Sequence, residues 1–262
     1  MAKRSRLDAE LVRRGLADSR SSARRAVEEG KVTVAGMPAT KVDALVDPAT
    51  PVALVGPPSR FVSRGGEKLA GALDRFDVEI AGRDWLDAGA STGGFTDCLL
   101  QAGAARVVAV DVGYGQLAWT LRNDDRVVVL ERTNARNLTA DQLPFVPHGV
   151  VADLSFISLA LVMPALAANA SSKADYVLLV KPQFEVGRKA VGKGGVVRDA
   201  SGWRDALGTV VDAAENIGLG LVAAAPSPLK GPAGNVEFFV HLRRGAAGDN
   251  EILDEAVREV AS

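Results

Sequence analysis

The segment DAGASTGGF, residues 87–95, carries three glycines, and its reading decides how the rest of the chain is understood. Upstream, Trp85 and Leu86 follow the charged pair Arg83-Asp84, as a short buried strand would. Downstream, Phe95, Cys98 and Leu99 recur at helical spacing before Gly103, a helix stop. The glycines therefore sit on a strand-to-helix turn, where open α/β sheets hold nucleotide-like ligands. A Walker loop needs a Lys-Ser/Thr pair after its last glycine, whereas Phe95 and Thr96 follow Gly94. Nor do Gly89, Gly93 and Gly94 make the G-x-G-x-x-G of dinucleotide sites.

Asp87 stands at the strand end ahead of the glycines. A carboxylate there repels a pyrophosphate but attracts the cationic amino-acid part of S-adenosylmethionine. The next strand, RVVAVDVG, ends in Asp111, where an acid can bind both hydroxyls of an adenosyl ribose. A ligand-free structural turn explains the loop alone. With Asp111 at the following strand end, a methyltransferase is the favoured reading.

The chain has 262 residues, enough for one large domain with a small appendage, and 47% of them are hydrophobic. Its single cysteine, Cys98, excludes an internal disulfide, and no Cys/His cluster suggests a metal site. The longest membrane-span candidate, residues 159–168, is too short and contains Pro164. The basic N-terminus lacks the apolar core of a signal peptide, so a cytoplasmic protein without a membrane partner is expected. A net charge of −1 hides an asymmetry, because residues 1–60 hold 11 Lys/Arg against 7 Asp/Glu. A basic head on an acidic body fits a polyanion-binding module joined to an enzyme, and equally a solvated helical face.

In the head, Leu7, Leu11 and Val12 form one helical stripe. Ser19 or Ser21 can cap a second helix that ends at Gly30. KVTVAGMPATKVDALV then alternates like strands with a tight turn at Ala35-Gly36, VALV completes the small sheet, and GPPSR reads as a linker. Residues 4 to 56 resemble an S4 RNA-binding domain through Arg6-Leu7-Asp8, Leu11, Gly15, Ser19-Arg20, Ala23, Gly30, Val32, Val34, Gly36 and Lys41. That resemblance implies that Arg6, Arg13, Arg14, Arg20, Arg24 and Arg25 include the residues that meet RNA phosphates.

Beyond the linker, a helix carries Lys68 near its start. Strands are expected near 84–88, 106–111, 127–131, 149–153, 175–180, 219–224 and 236–242, mostly separated by helices. The last two are too close for a helical crossover and should be antiparallel. The fold class is thus α/β: a Rossmann-like, seven-stranded class I methyltransferase sheet behind a small α+β head. The expected division is an S4-like domain at 1–58, a linker at 59–64 and a methyltransferase domain at 65–262.

Four charged residues need explaining: Lys68, Asp153 ending the strand VVAD, Lys181 ending YVLLVK, and Glu237 amid apolar neighbours in GNVEFFV. Each alone reads as a solvated terminus, but Asp153, Lys181, Asp87 and Asp111 all point to the carboxyl edge of a parallel sheet. Their order, Lys-Asp-Lys-Glu, is that of the tetrad in FtsJ-type ribose 2′-O-methyltransferases. With SRGGEKL, LDAGASTGGFTD, DVGYGQL, ERTNARNL, ADLSFISL, LVKPQFEVG and GNVEFF, nearly the whole chain resembles the TlyA-type (hemolysin-A-type) rRNA 2′-O-methyltransferases.

The resemblance implies cytidine ribose hydroxyls of small- and large-subunit ribosomal RNA as substrates, ribosomal subunits as partners, and S-adenosylmethionine without a metal. Lys181 is the expected base, with Lys68 steadying the oxyanion and Asp153 and Glu237 orienting the two lysines. The cofactor set carried over is Asp87, Gly89, Ser91, Gly93, Gly94, Phe95 and Asp111, with Asn134-Ala135 toward the adenine. Gln183, Phe184 and Glu185 read as site-wall residues. The basic, glycine-rich stretch after Lys181 fits a loop over bound RNA, with Arg188, Lys189 and Lys193 joining Arg64 as RNA contacts. A monomer is the expected state. The competing classes are a membrane-active cytolysin, which predicts lysis without cofactor, and a non-catalytic ribosome-binding module, against which the intact tetrad argues.

Overall fold

Two short apolar patterns, one of period 3.6 and one of period 2, organise the head, and both appear in a computed structural model of the chain. The structure describes residues 4–17, 19–56, 59–187, 191–192 and 194–261, with only the backbone of Ser21. It divides into two units, 1–59 and 60–262.

In the first unit, β1 (Ser5–Arg6) leads into α1 (Leu7–Arg13), followed by α2 (Arg20–Glu28). Ser19 caps α2, its hydroxyl accepting from the Ser22 amide at 3.1 Å. Then come β2 (Val32–Val34), β3 (Met37–Pro38), β4 (Leu45–Val46) and β5 (Val52–Leu54). The β2–β3 hairpin turns at Ala35 and Gly36, both at positive φ, and β5 pairs antiparallel with β2. A second, two-stranded pairing of β1 with β4 had no signal in the sequence pattern. Leu7, Leu11, Ala23, Val27, Val32 and Val46 form the buried core of this unit.

The second unit contains α3 (Arg64–Leu73), β6 (Asp84–Ala88), α4 (Gly94–Gln101), β7 (Arg106–Val110), α5 (Trp119–Arg122) and β8 (Val127–Leu130). It continues with β9 (Gly149–Ala152), α6 (Leu159–Ala168), β10 (Asp175–Val180), α7 (Pro182–Glu185), α8 (Ala200–Glu215), β11 (Leu219–Pro226), β12 (Phe238–Arg244) and α9 (Glu251–Ala261). Its packed structure starts ahead of residue 65: Phe61 is buried, and the Val62 amide donates to Asp97 Oδ2 at 2.8 Å.

The sheet order is β11-β12-β10-β9-β6-β7-β8. β12 runs antiparallel to both of its neighbours, while β10, β9, β6, β7 and β8 pair in parallel, as the spacing of the last strands required. Strand alternation sends successive residues to opposite faces. Trp85, Val107, Val151 and Val177 pack with the α3–α4 side, and Leu86, Val108, Val150 and Leu178 with the α6–α8–α9 side. Both faces are covered, which is why the strands read as continuous apolar runs rather than alternating ones.

Candidate active site

Parallel strands deliver their last residues to one edge of the sheet, and the site is built there. Asp111, Asp153 and Lys181 each stand one position past the end of β7, β9 and β10. Glu237 stands one position before β12, and because β12 runs the other way its start lies at the same edge. The register that opposes Val180 to Phe238 sets Lys181 and Glu237 side by side along the edge. Lys68 arrives from α3 and is 7% exposed.

These residues form two ion pairs. Lys68 Nζ donates to Glu237 Oε2 at 2.5 Å, and Glu237 is 1% exposed. Lys181 Nζ pairs with Asp153 Oδ1 and also donates to Ser155 Oγ at 3.0 Å. All four line one cavity of about 270 Å³, together with Ser155, Gly89, Ser91, Gly94 and Phe95. The structure thus brings together the whole Lys-Asp-Lys-Glu set.

A second cavity, about 500 Å³, shares Gly89, Ser91, Asp153 and Ser155 with the first, so the two adjoin. Asp111, Asn134 and Ala135 line it, with apolar walls from Val110, Val112, Ile157 and Val162. Asp111 is held rigidly: its Oδ2 accepts the Ser91 amide at 2.8 Å and its Oδ1 the Gly113 amide at 2.6 Å. Each oxygen keeps a further lone pair for a hydroxyl donor. Asn134 Oδ1 is occupied by the Arg136 amide at 3.0 Å, leaving its amide group as donor.

The glycines of the loop do different work. Gly89, at φ +86°, comes so close to the next loop that a Cβ would lie 2.5 Å from the Asp153 carbonyl oxygen. It lets the backbone pass between the cavities. Gly93, at φ +93°, lines neither cavity; a Cβ there would strike Leu121 at 2.3 Å, so it serves the packing of α4.

Asp87 also lines neither cavity. Alternation puts it on the face of Trp85, beneath α4, where it is fully buried and accepts from Thr96 Oγ1 at 2.7 Å. Its Oδ1 has no partner, and burial pushes the carboxyl up to about 7 against the opposing Thr96 hydrogen bond. The folded chain therefore keeps this proton while an unfolded chain loses it near pH 4. The contribution of Asp87 to stability is complete below that pH, falls as pH rises toward 7, and levels off above. Ionisation of Asp87 is expected to cost up to about 4 kcal/mol across that window. Denaturation of the ligand-free protein at pH 5 and pH 8 should show the decline, and Asp87→Asn should flatten it. An equally steep decline in Asp87→Asn would place the titrating group elsewhere.

Gln183, Phe184 and Glu185, expected as site walls, line neither cavity. Glu185 instead accepts the Leu159 amide at 3.0 Å and the Ser158 hydroxyl at 2.5 Å, capping α6, while Phe184 packs on the Phe156 ring. Ser155 went unremarked in the sequence reading, although it stands inside the ADLSF motif two residues beyond Asp153.

Among the RNA-contact candidates, the buried Asp8 and Glu10 organise the head. Asp8 holds Arg6 and Arg20, and Glu10 holds Arg13 and Arg14, which keeps the Asp8 carboxylate below the usual range and that of Glu10 well below it. Arg6, Arg13 and Arg20 keep 44–61% of their side chains exposed, and Arg24 is exposed. Arg14 is turned inward, donating to the carbonyls of Thr50 and Pro48 at 2.8 and 2.9 Å. Arg25 is half-buried on α2. Arg64 lines the first cavity and donates to the Lys230 carbonyl at 3.3 Å. Arg188, Lys189 and Lys193 lie outside the described residues.

Comparison with known proteins agrees with this geometry. The FtsJ-like methyltransferase family matches residues 61–244, and the S4 domain matches residues 5–51. The 16S/23S rRNA (cytidine-2′-O)-methyltransferase TlyA of Mycobacterium tuberculosis is 57% identical over 93% of this chain and 91% of its own. Hemolysin A of Brachyspira hyodysenteriae is 38% identical over 90% of this chain and 99% of its own. A solved structure from Streptococcus thermophilus, of a protein called a hemolysin, superposes with a TM-score of 0.77 at 38% identity, covering 100% of this chain and 98% of that one. A tetrad assembled on a seven-stranded sheet, an S4 domain ahead of it and relatives of this likeness lead to one conclusion: the chain belongs to the FtsJ-like methyltransferase family, as a member with an N-terminal S4 domain.

Proposed function

We propose that the protein transfers a methyl group from S-adenosylmethionine to the 2′-hydroxyl of cytidines in small- and large-subunit ribosomal RNA. The observation that carries this reading is the pair of lysine–carboxylate contacts lining one cavity, beside a second cavity lined by a rigid acid. The second cavity suits an adenosyl group: Asp111 would take the ribose hydroxyls, Asn134 and Ala135 would face the adenine, and Ile157 and Val162 supply apolar wall. Gly89, Ser91 and Gly94 would border the methionine part where the cavities meet. When bound, the sulfonium cofactor supplies an already electrophilic methyl group, so the chain's task is deprotonation and in-line placement.

Lys181, once its own proton has gone to solvent, takes the hydroxyl proton: the ribose O–H bond breaks, an N–H bond forms, and Asp153 stabilises the new ammonium. Lys68, held in place by Glu237, donates to the oxygen while its negative charge develops. The two lysines differ in surroundings as these roles require. Lys68 faces a fully buried carboxylate, whereas Lys181 shares itself between a partly exposed carboxylate and a neutral hydroxyl.

The S4 domain would hold the RNA through phosphate contacts from Arg6, Arg13, Arg20 and Arg24, with Arg64 at the cavity. Arg14 is better assigned to holding the head together, given its inward bonds. The name of the Mycobacterium relative supports cytidine and both subunits as targets, and such a substrate would place the working protein in the cytoplasm. The hemolysin names find no support in the helices, since none among the described residues is long and apolar enough to cross a membrane.

The test is labelled methyl transfer from S-adenosylmethionine to purified ribosomal subunits, with 2′-O-methyl positions mapped on both RNAs. Label on cytidine ribose is the expected result; label on bases, or none, would defeat the reading. Affinity for the RNA should fall steeply with salt, about ten-fold or more from 50 to 200 mM, as counterions are released. A flat response would argue against phosphate contacts.

A further inference from the structure

The loop between β9 and α6 contains a residue that no part of the tetrad accounts for. Ser155 is exposed, borders both cavities, and accepts a hydrogen bond from Lys181 Nζ at 3.0 Å. Immediately after it, Phe156 takes φ +66°, a left-handed conformation that is costly for a bulky side chain. The chain bends there, and Ser155 stands beside Lys181 while Phe156 is 91% exposed and packs on Phe184. Strain at this point in the loop, next to the proposed base, is the sort found where side-chain placement serves function.

A neutral lysine amine has a simple geometry. Its nitrogen carries one carbon, two N–H donors and one lone pair, arranged tetrahedrally. Asp153 Oδ1 and Ser155 Oγ supply two acceptors, one for each N–H. With both donors engaged, the lone pair has one direction left. Were only Asp153 present, the amine could rotate about its carbon–nitrogen bond between two settings of the lone pair.

We propose that Ser155 is a positioning residue for methyl transfer, its hydroxyl together with Asp153 locking the Lys181 amine so that the lone pair faces the incoming ribose 2′-hydroxyl. The inference rests on Lys181 being the base. In the cycle, the hydroxyl proton moves to the Lys181 lone pair as the methyl group bonds to the ribose oxygen and its bond to the cofactor sulfur breaks, the electron pair staying on sulfur; the proton then leaves Lys181 to solvent, and Ser155 keeps its own proton throughout.

Three variants in full-length protein test this, assayed by single-turnover transfer of labelled methyl to ribosomal subunits at saturating S-adenosylmethionine, with cofactor affinity measured by calorimetry. Ser155→Ala should slow the saturated rate about 10- to 100-fold, the usual cost of a misdirected reacting group, with cofactor affinity little changed. Ser155→Thr keeps a hydroxyl and should recover most of the rate. Lys181→Arg should be inactive. A Ser155→Ala enzyme with a normal saturated rate but weakened cofactor binding would overturn the proposal, making Ser155 a cofactor contact. Equal losses in Ser155→Ala and Ser155→Thr would also overturn it, since bulk rather than the hydroxyl would then matter. If Lys181→Arg itself turns over normally, the assignment of the base fails, and that failure is separate from a Ser155 result obtained while Lys181→Arg is dead.

Discussion

Lys181→Ala abolishes methyl transfer to ribosomal RNA, with a loss of at least about 10³-fold, and leaves S-adenosylmethionine affinity nearly intact: that is the result the geometry leads us to expect. In the proposed role the side chain acts on the ribose hydroxyl, so its contribution is realised in the transition state rather than in the binding of cofactor. The fold should survive, because the partner left behind, Asp153, keeps 23% of its side chain exposed and can be hydrated. Lys181→Arg is the more telling change. A guanidinium preserves the charge and the contact with Asp153 but has no lone pair to accept a proton near neutrality. Single-turnover transfer of labelled methyl, with binding measured separately by calorimetry, reads both variants. Near-normal turnover by Lys181→Arg would leave lysine with a positioning role and remove it as base.

The second large effect belongs to the other pair. Glu237→Ala strands the Lys68 ammonium in a pocket where it is 7% exposed, and removing one partner of such a pair costs roughly 3–5 kcal/mol. Urea denaturation should show that loss directly, and methyl transfer should fall with it. Stability and chemistry can be separated by replacing both partners. Lys68→Met combined with Glu237→Leu fills the space without a buried charge, and most of the lost stability should return. Activity should not return, because the donor to the developing oxyanion is gone. An active double variant would show that this pair holds the protein together without taking part in the reaction.

Local signals carried much of this protein. The glycines of residues 87–95, the apolar runs on either side and the acid at position 111 are features of short range, set by backbone sterics and by the period of strands and helices. They sufficed for the strand positions, for the antiparallel last strand and for the α/β class, and the turn at Ala35-Gly36 and a cap at Ser19 or Ser21, which the structure places at Ser19, were equally local. Strand ends could be recognised one by one, which is why Asp111, Asp153 and Lys181 were legible as site residues.

Which groups touch was decided elsewhere. Lys68 and Glu237 are 169 residues apart, and they meet because β12 reverses direction and pairs with β10 in a register that puts Glu237 beside Lys181. Asp87 looked like a ligand-facing acid from its position at a strand end. Its place in the alternation turned it under α4 instead, where Thr96 and low dielectric govern it. Arg14 shared its charge and helix with Arg13, yet the carbonyls of Pro48 and Thr50 drew it inward. Ser155 became visible only when a left-handed residue behind it and a lysine 26 positions away fixed its hydroxyl. By itself the sequence determined the elements, their class and the residue types at the sheet edge, because propensity and periodicity act over a few residues. The pairing of charges, the face each side chain takes and the partners of the Lys181 amine were decided by the tertiary structure, because burial and hydrogen-bond partners come from strands and loops distant along the chain.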